Sequence, residues 1–176
     1  MNRAVLLLGS NKGDSASTLK KAVTELSKLA DPLSKISLSS CYESEPWGFD
    51  AECWFLNMAV IVDTPLSARE LLEKILEIET NLGRSREKTQ NGNFTEVRST
   101  YSSREIDIDI IFFNNQIINE ESLIIPHPRM HLRRFVLEPI AQIAPEYLHP
   151  IFNISVQSLI ESCKDTYVVK KLQDLQ

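Results

Sequence analysis

The run Ser103-Arg104-Glu105-Ile106-Asp107-Ile108-Asp109-Ile110-Ile111 alternates carboxylates with isoleucines. Such alternation reads as a strand with one apolar face. At a strand rise of about 3.3 Å per residue, Asp107 and Asp109 lie about 6.6 Å apart by Cα and point to the same side, so their carboxylates can converge on shared cations. Hard cations such as Mg²⁺ take oxygen ligands, and one or two carboxylates plus substrate phosphates are their usual holders. A metal pair spans roughly 3.5–4 Å, within reach of two such side chains. The residue types therefore point to nucleotide chemistry. A half-exposed strand with a charged outer face would produce the same alternation, so the neighbouring residues have to decide.

Those neighbours are basic. Arg104 precedes the strand directly, and Arg84 and Arg86 follow a helical pattern at Asn81-Leu82-Gly83-Arg84-Ser85-Arg86. Guanidinium forks bind phosphate oxygens bidentately and stay charged at any working pH, so arginines beside a carboxylate pair suggest a polyphosphate clamp. Arginine in a last helical turn also complements the helix macrodipole, and that reading stays open for Arg84 and Arg86 taken alone.

Bulk properties narrow the field. With 176 residues, of which 43% are apolar, the chain has the material for one core, and a single domain over 1–176 is expected. A net charge of −5 argues against nucleic acid as the main partner, so phosphate binding must be local. The N-terminal apolar run Ala4-Val5-Leu6-Leu7-Leu8 is shorter than a signal sequence, and no stretch approaches the roughly 20 residues of a membrane span. A cytoplasmic monomer is expected. Cys41, Cys53 and Cys163 are odd in number and have no C-x-x-C spacing, which fits free thiols.

Several elements must position the charged groups. Ala4 to Leu8 reads as a buried strand that ends in the turn Gly9-Ser10-Asn11. Leu19, Ala22, Val23, Leu26 and Leu29 recur at helical spacing, with Ser15 or Ser17 as the cap. Ile36, Leu38, Ser40 and Tyr42 alternate as a second strand, and Phe55 to Val62 form a third. Ser67-Ala68-Arg69-Glu70 is a capping box for a helix with Leu71, Leu72, Ile75 and Ile78 inward, and Gly83 stops it. Residues 87–100 have no periodicity and read as a long mobile loop that closes over the site as a lid. After the Asp107-Asp109 strand, Asn114-Asn115 is a turn that leads into a short hairpin partner. A short helix near His131 to Leu137, a Pro-rich connection, and a C-terminal helix and strand follow. The order strand, helix, strand, strand, helix, strand is that of an α+β ferredoxin-like sandwich, an antiparallel sheet with helices packed on one face and the other left for a ligand.

Six segments occur in one order: Gly9-Ser10-Asn11, Glu45-Pro46-Trp47-Gly48, Phe55-Leu56-Asn57, Glu79 with Gly83-Arg84-Ser85-Arg86, Arg104-Glu105-Ile106-Asp107-Ile108-Asp109, and Pro126-His127-Pro128-Arg129-Met130-His131-Leu132-Arg133-Arg134-Phe135. Together they resemble the 6-hydroxymethyl-7,8-dihydropterin pyrophosphokinase family of folate biosynthesis, over about residues 4 to 150. The resemblance implies transfer of pyrophosphate from ATP to the pterin's hydroxymethyl oxygen, release of AMP, and two Mg²⁺ ions held by Asp107 and Asp109. It implies catalytic roles for Arg84 and Arg104, and places Arg86, Tyr101, His127 and Arg133 at ATP or over the closed site. It further implies a pterin sandwiched by Phe55 and Phe135, read at its edge by Asn57, with Ser44, Trp47 and Glu79 around it. A zinc reading of His127 and His131 fails because Pro128 interrupts the helix that an H-x-x-x-H pair needs.

The chain departs from the family pattern at Thr100-Tyr101-Ser102-Ser103, where a basic residue and a Gly or Ala usually stand. An RNA-binding module on the same scaffold is disfavoured, since Asp107 and Asp109 on the ligand face would repel a phosphate chain without metal. A catalytically silent sensor would have lost the carboxylates or the arginines, and this chain keeps both.

Overall fold

β1 (Asn2–Ser10) is buried on both sides from Ala4 onward, as its unbroken apolar run demands. The computed structural model describes residues 1–48, 53–84 and 103–172. Ala4, Leu6 and Leu8 enter one core, and Val5 and Leu7 enter a second on the opposite face. β1 pairs antiparallel with β4 (Phe55–Thr64) on one side and β5 (Asp107–Phe113) on the other. β2 (Ser37–Leu38) and β3 (Tyr42–Ser44) pair with β4, and β8 (Val169–Lys171) extends the sheet beyond β3. The order β5-β1-β4-β3-β8 is the expected ferredoxin-like arrangement with one strand added. The chain does turn at Asn114-Asn115, but β6 (Ile118–Glu120) pairs with β7 (Leu123–Ile125) in a separate hairpin and not with β5, whose ladder is taken up by β1. Asn114 takes the left-handed turn conformation, φ 47°.

The first core lies under α1 (Ser15–Ser27) and α2 (Ala68–Asn81). The cap of α1 is Asp14, which accepts from Ser17 N, rather than Ser15 or Ser17, because the helix starts one residue beyond it. The capping box at Ser67 and Glu70 forms in full, and Gly83 ends α2 at φ 100°, a conformation that needs glycine. α3 (Arg134–Ile143) and α4 (Val156–Ser162) lie over the second core with Val5, Leu7, Ala59, Ile111 and Phe112. The second face is therefore partly covered, which departs from the expectation that it is wholly left for a ligand. α3 also runs past Leu137 and carries Pro139 inside it, where the sequence reading placed a connection. Among the described residues no helix is long and apolar enough to cross a membrane.

The second strand expected from Ile36 to Tyr42 is broken in the middle. The register against β4 moves from Leu38↔Val60 to Tyr42↔Asn57, which inserts one extra residue. Ser39 bridges the break: its N–H donates to Ala59 O, and its hydroxyl accepts from Ala59 N at 2.9 Å and donates to Ser40 O at 2.8 Å. Gln142 of α3 fixes the next step, accepting from Ser40 N and from the Tyr42 hydroxyl, both at 3.0 Å.

Ser39→Ala should cost about 1–3 kcal/mol, because the buried Ala59 N–H in a central strand loses its acceptor. Urea denaturation checks this: the midpoint should fall with an unchanged slope, and an unmoved midpoint would show that the hydroxyl does not complete the ladder.

Candidate active site

Past the second apolar core, the same face of the sheet turns polar. Asp107 pairs with Gly9, Gly9 with Asn57, and Asn57 with Tyr42, so these four residues form one row across four strands with their side chains on one face. One step to one side lies Asp109 opposite Leu7, and one step to the other lies Phe55 opposite Ser44. Ile106, Ile108 and Ile110 go to the first core, as the alternation in sequence requires. Gly9 forms the floor of the row, and a Cβ there would come within 3.3 Å of Asn57 Oδ1. It lies in β1 and not in the turn that the sequence reading assigned.

On one side of Gly9 the charges converge on Asp107. Arg84 Nη1 donates to Asp107 Oδ1 at 2.5 Å, and Arg104 Nη1 donates to Oδ2. Arg84 also binds Glu79, whose Oε1 accepts from Ile108 N at 2.7 Å and so holds the outer edge of β5. Glu79 is 1% exposed, and the structure sets it against Arg84 and β5. Asp109 is pushed up to about 8 by burial first, and then by the neighbouring Asp107 and Glu79 carboxylates. Three carboxylates share this corner with two arginines. Among the described residues no group of three or more potential ligands has metal-site geometry, so a cation on Asp107 and Asp109 would draw its other oxygens from a ligand and water.

On the other side of Gly9 the residues suit a flat, polar-edged ligand. Asn57 is 2% exposed, and its amide N–H₂ donates to Ser44 Oγ at 2.8 Å and to Tyr42 O at 3.4 Å. Phe55, Trp47 and Phe135 are each half-buried. The buried Arg133 links two of them, its guanidinium standing 4.5 Å from the Trp47 ring centre and 5.7 Å from that of Phe135. Tyr167 approaches Trp47 with ring centres 6.5 Å apart.

His127 hangs from β5, its N–H donating to Ile111 O at 3.0 Å. Burial, followed by Arg133 and Arg129, pushes its imidazole down to about 4. The ring is neutral at pH 7, and Nδ1 accepts from Arg129 N at 3.3 Å, which assigns the proton to Nε2. His127 and Arg133 thus stand near one another.

Arg86, Tyr101 and the stretch 87–100 expected to be a lid lie outside the described residues. Two contributors escaped the reading of the residues: Gly9 as a floor, and Asn11, whose side chain binds Ser103, Arg104 and Cys53. A polar residue just beyond the apolar run Ala4 to Leu8 was the available signal.

The 7,8-dihydro-6-hydroxymethylpterin-pyrophosphokinase family model matches residues 5–145. The 2-amino-4-hydroxy-6-hydroxymethyldihydropteridine pyrophosphokinase of Bacillus subtilis (strain 168) is 43% identical over 145 residues, covering 82% of this chain and 80% of that protein. The protein of the same name from Methylorubrum extorquens is 41% identical over 147 residues, covering 83% and 85%. Among solved structures, the wild-type HPPK-DHPS of Plasmodium falciparum with SDX-DHP superposes with a TM-score of 0.66 at 20% identity. It covers 92% of this chain, which spans 43% of that longer one, and at that identity the likeness speaks for the fold alone. With more than four-fifths of its length aligned to pyrophosphokinases at over 40% identity, the chain belongs to the 7,8-dihydro-6-hydroxymethylpterin-pyrophosphokinase family.

Proposed function

We propose that the chain transfers the β,γ-pyrophosphoryl group of ATP to the hydroxymethyl oxygen of 6-hydroxymethyl-7,8-dihydropterin, with Asp107 and Asp109 holding two Mg²⁺ ions. The observation that carries this reading is the row Asp107, Gly9, Asn57. It sets a carboxylate–arginine corner and an amide–aromatic pocket on one sheet face, separated only by a residue without a side chain. The oxygen-only donors and the raised Asp109 fit hard cations. Bound there, Mg²⁺ would offset phosphate charge and polarise the β-phosphorus.

The chain's own groups do the rest. Asn57 and Ser44 orient the pterin edge, with Phe55 and Phe135 on its faces and Trp47 at the wall. The hydroxymethyl oxygen then bonds to the β-phosphorus and gives its proton up to solvent, as the bond to the bridging α,β-oxygen breaks and AMP leaves with that oxygen and its electron pair. Arg84 and Arg104, held beside Asp107, meet the negative charge that builds on the phosphates. Arg86 and Arg133 extend the clamp, and Tyr101 helps to cover it. His127 offers Nε2–H to the nucleotide as a neutral donor, so it adds no charge that would vary near pH 7. Glu79 keeps Arg84 aimed at this corner and anchors the strand that carries both aspartates.

Protein mixed with ATP, Mg²⁺ and the hydroxymethyl dihydropterin should release AMP, and release of ADP instead would refute the reaction. Asp107→Ala and Asp109→Ala should each abolish AMP release with the far-UV circular dichroism unchanged; near-normal turnover in either would remove the cation assignment. Asn57→Ala should weaken pterin binding by about 1–3 kcal/mol in calorimetry while affinity for an ATP analogue holds, since only the pterin loses a buried partner. Equal losses for both ligands would indicate a folding defect.

His127 gives a test by pH. Its folded-state value lies below the ordinary 6.5, so its contribution to stability is complete above about 6.5 and is lost as pH falls towards about 4. Denaturation midpoints of His127→Gln should therefore fall less steeply across that window than those of the unaltered protein. Parallel slopes would show that the imidazole titrates normally.

A further inference from the structure

Asn11 follows the last residue of β1 and is 5% exposed. Its side-chain oxygen accepts from Arg104 N at 2.8 Å. Its amide N–H₂ donates to Ser103 Oγ at 3.0 Å and to the Cys53 carbonyl at 3.3 Å. Its own backbone N–H donates to Arg104 O at 3.2 Å. Arg104 is therefore held by its N–H and its carbonyl to a single residue, three positions before Asp107, which its guanidinium binds. Cys53 stands two positions before Phe55. One buried amide thus ties the root of an arginine on the charged side of Gly9 to the root of an aromatic on the other side.

We infer that Asn11 is a positioning residue for this reaction: it fixes the backbone of Arg104 so that the guanidinium reaches the phosphates, and it locks the start of β4 to the same point. This rests on the reading proposed above and goes beyond it. Asn11 touches neither substrate. Asparagine suits the place because it alone among side chains of this size offers an acceptor and two donors together. Aspartate would keep the acceptor for Arg104 N and turn an oxygen towards the Cys53 carbonyl, while alanine would leave all three partners unmet.

The test is a double-mutant cycle on kcat for AMP release, with Asn11→Ala and Arg104→Ala singly and together. Asn11→Ala alone should lower kcat about a hundredfold, the effect of an ångström-scale misplacement of a charged group. Combined with Arg104→Ala, it should cost less than about threefold more, because the group it positions is gone. Equal losses in both backgrounds, or a single variant within twofold of the unaltered enzyme, would overturn the inference. Asn11→Asp guards against a folding failure: it should recover kcat to within about tenfold while the KM for the pterin rises, because the Ser103 hydroxyl can turn to donate and the Cys53 link alone is broken. An aspartate variant as slow as the alanine one would also overturn it. Hydrogen exchange at the Arg104 amide gives a readout without turnover: protection should be present in the unaltered protein and lost in Asn11→Ala, and unchanged protection would refute the positioning role. An unaltered enzyme that makes no AMP would instead refute the reaction, leaving the exchange result to stand or fall separately.

Discussion

A strand shows its side chains to two faces in strict alternation, and β1 meets demands from both at once. Its even-numbered residues fill the core under α1 and α2, and its odd-numbered ones continue from Val5 and Leu7 into Gly9 on the opposite face. Everything at the candidate site inherits that phase. A register slip of one residue would exchange Asp107 and Asp109 for Ile106, Ile108 and Ile110, burying carboxylates and exposing isoleucines. Such a slip is avoided at a single place. Between Val5 and Leu6 the partner on β5 jumps from Phe112 to Ile110, leaving Ile111 as an extra residue. Without that bulge the pairing set by Phe112 and Phe113 would carry the aspartates to the wrong face. The bulge lets Ile111 and Phe112 both enter the second core while the acids keep their direction.

The charged corner is costly for the fold and is explained by the reaction. Glu79 is buried, and the side chains of Arg84 and Asp107 are only 15% and 24% exposed. Taking these groups out of water carries a desolvation penalty that the ion pairs only partly offset, so the network is weak evidence for stability. Its arrangement is uneven: Asp107 receives both arginines, and Asp109 beside it is driven towards the neutral form. A carboxyl in that condition releases its proton most readily when another cation replaces it.

Much of this was legible in the sequence, and the rest was hidden for physical reasons. The aspartate alternation, the box at Ser67 and Glu70, and the stop at Gly83 are local patterns, and the structure reproduces them because neighbours three or four residues away determine them. The break at Ser39, the bulge at Ile111 and the links of Asn11 depend on partners 20 to 107 residues distant, which no local window contains. Pro139 in a local window signals a break, yet the apolar face of α3 packs well enough to absorb the missing donor. Glu79 entered through the family resemblance, and its place on the helix is an independent signal for it. It stands four residues after Ile75, on the inward side of α2, where a carboxylate needs a buried partner.

β8 comes from the part of the chain beyond the family-matched residues, yet it is woven into the proposed pterin side. It covers the free edge of β3, pairing Lys171 with Tyr42 and Val169 with Ser44. Glu45 binds the strand's approach through Val168, and Leu172 N donates to Cys41 O. Lys170 stands 4.7 Å from the Trp54 ring centre, and Tyr167 leans on Trp47. The tail thus acts as a hem on the sheet, closing an edge that would otherwise invite another strand. It also separates two duties: a change in this strap would reshape the wall around Trp47 and Trp54 while the aspartates, arginines and Asn57 stay as they are.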